Sequence, residues 1–180
     1  MYRILAFVLI VVLCVGCSPT KLSPGDIAVQ KKAVESLVSD FWKANEAKDL
    51  PALTKLFTTS GDLMFYGTDS AEVIKTVPQW EAQAKADWEL FQSIKFGEMR
   101  NVSTVVSDDG SLGSIVCEVP AELTVSGHQE HSLFRASMTL RKEGGDWKLV
   151  SGMIGVATVG QSSVELVGKM KVEASKPAKK

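Results

Sequence analysis

Apolar and polar residues alternate in two runs near the end of the chain, and Gly144 and Gly145 join the two runs. A two-residue hairpin turn needs positive φ values, which glycine adopts without strain. Counting outward from this turn predicts four cross-strand pairs that share one face of a sheet. These pairs are Leu140 with Leu149, Met138 with Ser151, Ala136 with Met153 and Phe134 with Gly155. The shared face is apolar with one hydroxyl, so it is either a plain core or the wall of a pocket.

The preceding chain carries helical patterns and further strands. Ser23, Asp49 and Thr76 have the character of helix N-caps. Apolar residues recur at a spacing of three and four in the first helix, at Val34, Leu37, Val38, Phe41 and Trp42, and in the third, at Trp80, Ala84, Trp88 and Phe91. Strands are predicted over residues 63–66, 99–106 and 112–125. Helices separated from a run of long strands predict an α+β fold, in which a cone-shaped, curled antiparallel sheet packs on the long N-terminal helix.

The first residues have the layout of an export signal. Met1-Tyr2-Arg3 precedes an apolar run over residues 4–15, which is shorter than the roughly 20 apolar residues of a bilayer span. The run ends at Leu13-Cys14-Val15-Gly16-Cys17-Ser18, which resembles the lipobox of bacterial lipoproteins. That resemblance implies cleavage before Cys17, acylation of its thiol, and, because serine follows, an outer-membrane location facing the periplasm. The alternative is a plain secretory signal with an incidental cysteine.

These patterns divide the chain into four parts. We expect a signal peptide over residues 1–16, a tether over 17–25, one domain over 26–160 and a lysine-rich tail over 161–180. The mature chain of about 160 residues is long enough for one domain with a proper core.

Composition and charge exclude some functions. The formal net charge of −1 gives no general electrostatic basis for binding nucleic acid. His128 and His131 flank a predicted turn without further ligands, so we expect no metal site and no cofactor. Cys117, in a strand pattern, is expected to be a small buried hydrophobe rather than a nucleophile.

Three segments resemble the SnoaL-like proteins of the nuclear transport factor 2-like superfamily. They are the long first helix, Phe65-Tyr66-Gly67-Thr68-Asp69 before a helix, and Gly145-Asp146-Trp147-Lys148-Leu149-Val150 near the end. The likeness spans residues 27–160 and implies a cone-shaped α+β barrel with a pocket, often dimeric through the outer sheet face. In many relatives histidines face the pocket where this chain has Ser151 and Met153, neither of which can act as a general base.

Six residues are predicted to line the pocket: Tyr66, Trp80, Trp88, Met138, Ser151 and Met153. Proton-transfer enzymes of this fold need a carboxylate base beside a donor that stabilises an enolate, commonly tyrosine or a protonated acid. The weak catalytic candidates are therefore Tyr66 and Asp69, although aspartate in a turn commonly bonds its own backbone.

Three functions stay open. The favoured one is a lipoprotein, attached to the bilayer through Cys17, that binds a small apolar molecule without catalysis, because the inner face is apolar. The second is an assembly module that forms a homodimer through the outer sheet face. The third is an isomerase- or cyclase-like enzyme that uses Tyr66 and an acid.

Overall fold

The computed structural model describes residues 21–158, 160–162 and 164–165. The predicted signal peptide, Cys17 and most of the predicted tail lie outside the described residues. No helix within the described ranges combines the length and the apolar character needed to cross a membrane.

Three helices begin at the predicted caps. They span Pro24–Glu46 (α1), Leu50–Thr54 (α2) and Val77–Leu90 (α3). The Ser23 hydroxyl accepts a hydrogen bond from the Asp26 backbone N–H, and Asp49 and Thr76 cap α2 and α3 in the same way. These side chains satisfy backbone donors that a first helical turn leaves unpaired.

Seven strands form one curled sheet. They are Met64–Tyr66 (β1), Val73–Ile74 (β2), Ser93–Phe96 (β3), Arg100–Val106 (β4), Leu112–Val125 (β5), His128–Glu143 (β6) and Asp146–Val156 (β7). The strand order is β2-β1-β7-β6-β5-β3, and β4 also pairs with β5. The cone-shaped α+β fold is confirmed, but the sheet is mixed rather than purely antiparallel, because β1 runs parallel to β7. The short strands β2 and β3 are additional to the strands predicted from the sequence.

The β6–β7 hairpin turns at Gly144 and Gly145, whose φ values are 60° and 99°. Leu140 pairs with Leu149 as predicted, but Thr139 pairs with Ser151. Val150 is therefore an extra residue on β7, and both it and Leu149 are buried. A bulge of this kind shifts every later pair by one position.

The bulge reverses which residues of β7 face the core. Met138 pairs with Gly152, Ala136 with Ile154 and Phe134 with Val156. The predicted pairs of Met138 with Ser151, Ala136 with Met153 and Phe134 with Gly155 are therefore wrong. Ser151 and Met153 lie on the outer face of the sheet.

The core lies between α1 and the inner face of the sheet. Val34, Val38 and Phe41 of α1 are buried there beside residues of the central strands, including Cys117, which is 1% exposed. The prediction of a buried Cys117 is confirmed, and burial raises the pKa of its thiol to about 11. A thiol with this pKa is a poor nucleophile at neutral pH.

The end of the sheet at the Gly144–Gly145 turn, here called the hairpin end, carries a polar cluster around Arg141. Its guanidinium lies 2.7 Å from Asp62 Oδ2 and 2.7 Å from Glu143 Oε1. The buried Thr58 hydroxyl donates to the same Glu143 oxygen at 2.5 Å. The cluster joins the segment after α2 to the hairpin.

The start of the described chain also contacts the hairpin end. Leu22 N donates to Asp108 O at 2.7 Å, in the turn between β4 and β5, and Lys21 Nζ lies 2.8 Å from Asp108 Oδ2. This turn is at the hairpin end because Lys142 N donates to Ser111 O. The chain is thus held against the domain before α1 begins.

Candidate functional site

A cavity of about 240 Å³ lies at the other end of the sheet, here called the open end. It is enclosed by α1, α3, the segment before β2, β3 and the far halves of β5, β6 and β7. Seven aromatic side chains line it: Phe41, Trp42, Trp80, Trp88, Phe91, Phe96 and Phe134. The volume is slightly below the roughly 300–1,000 Å³ of typical ligand pockets, so only a small molecule fits.

A wider surface groove of about 840 Å³ runs beside Lys95, Arg100 and Arg135. Its lining mixes these exposed charges with apolar side chains such as Phe96, Pro120 and Leu133. The cavity at the open end is the better candidate site, because enclosure by aromatic rings and a few convergent polar groups is typical of small-molecule sites.

The deep wall of the cavity is a packed cluster of rings. The Trp80 ring lies 5.0 Å from Phe57, 5.0 Å from Phe65 and 5.6 Å from Phe41, measured between ring centroids. Gly152 makes room for this cluster, since a Cβ there would lie 2.5 Å from a ring carbon of Phe65. The rings hold one another in place and leave a rigid wall.

Two buried indole N–H groups have no hydrogen-bond acceptor among the residues that the structure describes. They belong to Trp42 and Trp80, which are 5% and 7% exposed. A buried donor without a partner costs about 1–3 kcal/mol. Both nitrogens are buried, so these donors lie within the packed rings rather than on the surface of the cavity.

Two carboxylates and one amide form a polar cluster on one side of the cavity. Gln83 Nε2 donates to Glu72 Oε1 at 3.1 Å and to Asp87 Oδ1 at 2.9 Å. The other oxygen of Glu72 accepts from the backbone N–H of Asp69 at 3.1 Å. A side chain at Gly67 would collide with Glu72, so the tight turn before β2 needs glycine at that position. The turn and Gln83 together fix the Glu72 carboxylate.

Burial and like charge make the electrostatics of this cluster unfavourable. Burial raises the pKa of Asp87 above its ordinary value, the hydrogen bond from Gln83 opposes this rise, and the charge of Glu72 adds to it. Neither carboxylate forms an ion pair with any residue that the structure describes. Lys48 lies at the end of α3, where its ammonium donates to the carbonyl oxygens of Trp88 and Phe91.

The structure separates the six predicted pocket residues into three groups. Trp80 and Trp88 line the cavity as predicted. Met138 faces inward but is buried in the core outside the cavity lining. The placement of the other three on the pocket wall, Tyr66, Ser151 and Met153, is wrong. Tyr66 and Met153 are 49% and 56% exposed.

The physical reason for these corrections is the bulge at Val150. It turns Ser151 and Met153 outward, and Tyr66 pairs directly with Met153 on the parallel strand β1. Asp69 lies outside the cavity lining, and its carboxylate accepts from the backbone N–H of Ala71 at 2.8 Å. The weak catalytic pair of Tyr66 and Asp69 is therefore not assembled in the cavity.

Sequence reasoning missed Glu72, Gln83 and Asp87. The sequence does contain a signal for Gln83 and Asp87, because residues three and four positions apart share a helix face. Gln83 and Asp87 thus lie within the same stripe as Trp80, Ala84 and Trp88. Polar residues inside an apolar stripe indicate a site rather than a plain core. Glu72 precedes α3 in a turn, and nothing in its local pattern marks it.

Comparisons with known proteins agree with this architecture. The hexachlorocyclohexane dehydrochlorinase LinA-type3 from Novosphingobium barchaimii superposes with a TM-score of 0.67 at 11% identity, covering 76% of this chain and 92% of that chain. An NTF2-like superfamily protein from Salmonella enterica superposes with a TM-score of 0.65 at 14% identity, covering 76% and 97%. At such identities the likeness extends to the fold alone.

At the level of sequence, no curated protein matches the chain. The SnoaL-like domain family matches residues 34–157, more than half of the chain. This match begins within α1 and extends through β7, so it includes every residue that lines the cavity. The protein is therefore a member of the SnoaL-like domain family, with the cone-shaped NTF2-like fold.

Proposed function

We propose that this protein is an envelope lipoprotein whose SnoaL-like domain binds a small, largely apolar molecule in the cavity at the open end. The observation that carries the proposal is the cavity at the open end with its seven aromatic lining side chains. Such a site gains apolar burial when a ligand occupies it.

Binding without turnover is favoured over catalysis by the identity of the lining side chains. Proton transfer in a cavity of this kind calls for a carboxylate base beside a separate donor, commonly a tyrosine or a protonated acid. None of the described residues that line the cavity is a tyrosine or histidine, and Glu72 and Asp87 each accept a hydrogen bond from Gln83, which favours their ionised form.

Native mass spectrometry of the chain from Ser18 onward, exported to the periplasm, tests binding directly. We expect a reproducible extra mass from a retained small molecule. Ala84 is buried in the cavity wall, so Ala84→Phe should fill the cavity and remove the extra mass. Ala86→Phe changes an exposed position of the same helix and is the matched control. An extra mass that persists in a folded Ala84→Phe variant would show that the molecule binds elsewhere.

The proposed anchor has a separate test. Acylation of Cys17 predicts that Cys17→Ala moves the full-length protein from the membrane fraction to the soluble fraction. Cys14→Ala alters the same signal segment but leaves the acceptor, so that variant should stay in the membrane fraction. An unchanged membrane partition of Cys17→Ala would contradict the lipid anchor.

A second candidate function, assembly through the outer sheet face, is favoured by an uncharged band across that face. The band consists of two registered rows: Tyr66, Met153, Ser137, Val116 and Ser103, and next to them Met64, Ser151, Thr139, Ser114 and Val105. Val105, Val116 and Met153 are exposed. Exposed apolar groups without intervening charges suit contact with a second copy.

Sedimentation equilibrium tests this candidate. If the band is a dimer contact, Met153→Glu and Val116→Glu should each produce monomers, because the contact would bury an unpaired charge. Val29→Glu introduces the same charge at an exposed position of α1 and should leave the dimer intact. A monomeric wild-type protein at micromolar concentration would rule this assembly out.

A further inference from the structure

The charge of the cavity indicates a particular class of occupant. Its only ionisable lining side chains among the described residues are Glu72 and Asp87, and no lysine, arginine or histidine lines it. Gln83 donates one N–H to each carboxylate but cannot neutralise their charge. Two carboxylates held side by side near an apolar enclosure are costly until a positive charge compensates them.

The aromatic lining fits the same class. The faces of tryptophan and phenylalanine rings attract cations, and tryptophan does so most strongly. Trp80 and Trp88 lie on the same helix as Asp87, and Trp42 lies on α1. Aromatic rings combined with carboxylates are the means by which proteins hold ammonium groups.

We propose that the cavity binds a small organic cation, an amine or ammonium compound with an apolar body. This inference rests on the proposed binding function and names the chemical class of its ligand. The carboxylates of Glu72 and Asp87 compensate the charge, and the aromatic rings surround the apolar body.

A metal ion fits the site less well than an organic cation. Divalent magnesium and calcium take six or more oxygen ligands. Gln83 uses its amide N–H groups on the two carboxylates, and the rest of the wall is mainly aromatic. Ligands that carry a carboxylate are also disfavoured, because the negative charges of Glu72 and Asp87 repel them.

Calorimetry with matched probes tests the inference. Choline and 3,3-dimethylbutan-1-ol have nearly the same shape and the same hydroxyl, but only choline is charged. The second pair is 2-phenylethylamine and 2-phenylethanol. We expect at least one of the two cations to bind about tenfold or more tightly than its neutral counterpart, a difference of about 1.4 kcal/mol.

Variants assign the effect to the two carboxylates. Asp87→Asn and Glu72→Gln should each weaken the binding of that cation by about fivefold or more, a loss expected for one charge partner, and should change the binding of the neutral probe little. Glu89→Gln removes the same charge from an exposed position of α3 and should change neither.

The outcomes separate this inference from the proposal on which it rests. Equal affinities within both pairs, failure of both cations to bind, or cation binding unchanged in both Asp87→Asn and Glu72→Gln would overturn the organic cation. The binding function would survive each of these results if Ala84→Phe still abolished the retained mass. If Ala84→Phe did not remove the retained mass and none of the probes bound, both the binding function and the organic cation would be overturned.

Discussion

The pKa values of carboxylates at the two ends of the curled sheet are shifted in opposite directions. At the hairpin end, the hydrogen bond from Thr58 and the guanidinium of Arg141 lower the pKa of Glu143 to about 2. The hydrogen bond from Arg141 also lowers the pKa of Asp62. At the open end, burial raises the pKa of Asp87. The two ends are about 23 Å apart along β6, counted from Arg141 to Phe134 at about 3.3 Å per residue.

The contrast separates groups that stabilise the fold from groups whose charge the proposed ligand would compensate. Arg141 pairs with both Asp62 and Glu143. At the open end, Glu72 and Asp87 form no ion pair with any residue that the structure describes. Unsatisfied groups of this kind reduce stability and cluster at functional sites. Removing a carboxylate charge should therefore destabilise the protein at the hairpin end but not at the open end.

The largest expected effect is on the free energy of unfolding, and it distinguishes the contribution of the Trp80 ring from that of its N–H group. Trp80→Ala should lower the free energy of unfolding by about 3–5 kcal/mol, because it empties the centre of the ring cluster. Trp80→Phe keeps an aromatic ring and removes a donor that has no acceptor, so its cost should be much smaller. Urea unfolding of both variants measures the difference. Similar losses for the two would mean that the indole N–H is bonded in the folded protein.

At the hairpin end, Glu143→Gln should lower the melting temperature at pH 7, because Arg141 and Thr58 lose a charged partner. The pKa of Glu143 is lower in the folded state than in the unfolded state. Its stabilisation is therefore present above the unfolded pKa of about 4.3 and is lost as the pH falls toward 2. Between pH 5 and pH 2.5 the variant should lose less stability than the wild type. Glu130→Gln, at an exposed position of β6, is the control and should follow the wild type.

The smallest effect, and the one with opposite sign, belongs to Asp87. Its folded pKa is raised, so the folded state binds the proton more tightly, and the destabilisation by this charge disappears as the pH falls below that pKa. Asp87→Asn should therefore raise the melting temperature at pH 7, and the gain should shrink toward pH 4. Thermal denaturation monitored by circular dichroism at the two pH values measures it. A lower melting temperature of this variant at pH 7 would show that the Asp87 carboxylate is already compensated.

Local signals in the sequence predict much of the fold. Ser23, Asp49 and Thr76 cap the three helices because each side chain satisfies backbone donors of its own first turn. The glycines at 144 and 145 define the hairpin for a similar local reason. The bulge at Val150 is different, because two consecutive apolar residues fit either a simple alternation or an inserted residue.

The candidate site was predictable only in part. The helical stripe identifies Trp80 and Trp88, because burial of one helix face leaves a periodic pattern. Glu72 reaches the cavity through a tight turn and a bond to Gln83, eleven positions along the chain. Contacts of this kind depend on how α3 packs beside that turn, which no local pattern encodes.

The contact of Leu22 with the β4–β5 turn has a consequence for orientation. Leu22 follows Cys17 by five residues, which can span at most about 18 Å when fully extended. With Cys17 as the proposed lipid anchor, the hairpin end would stay close to the bilayer, and the open end with its cavity would lie farther from it. A ligand would then enter from the aqueous periplasm rather than by lateral diffusion out of the lipid.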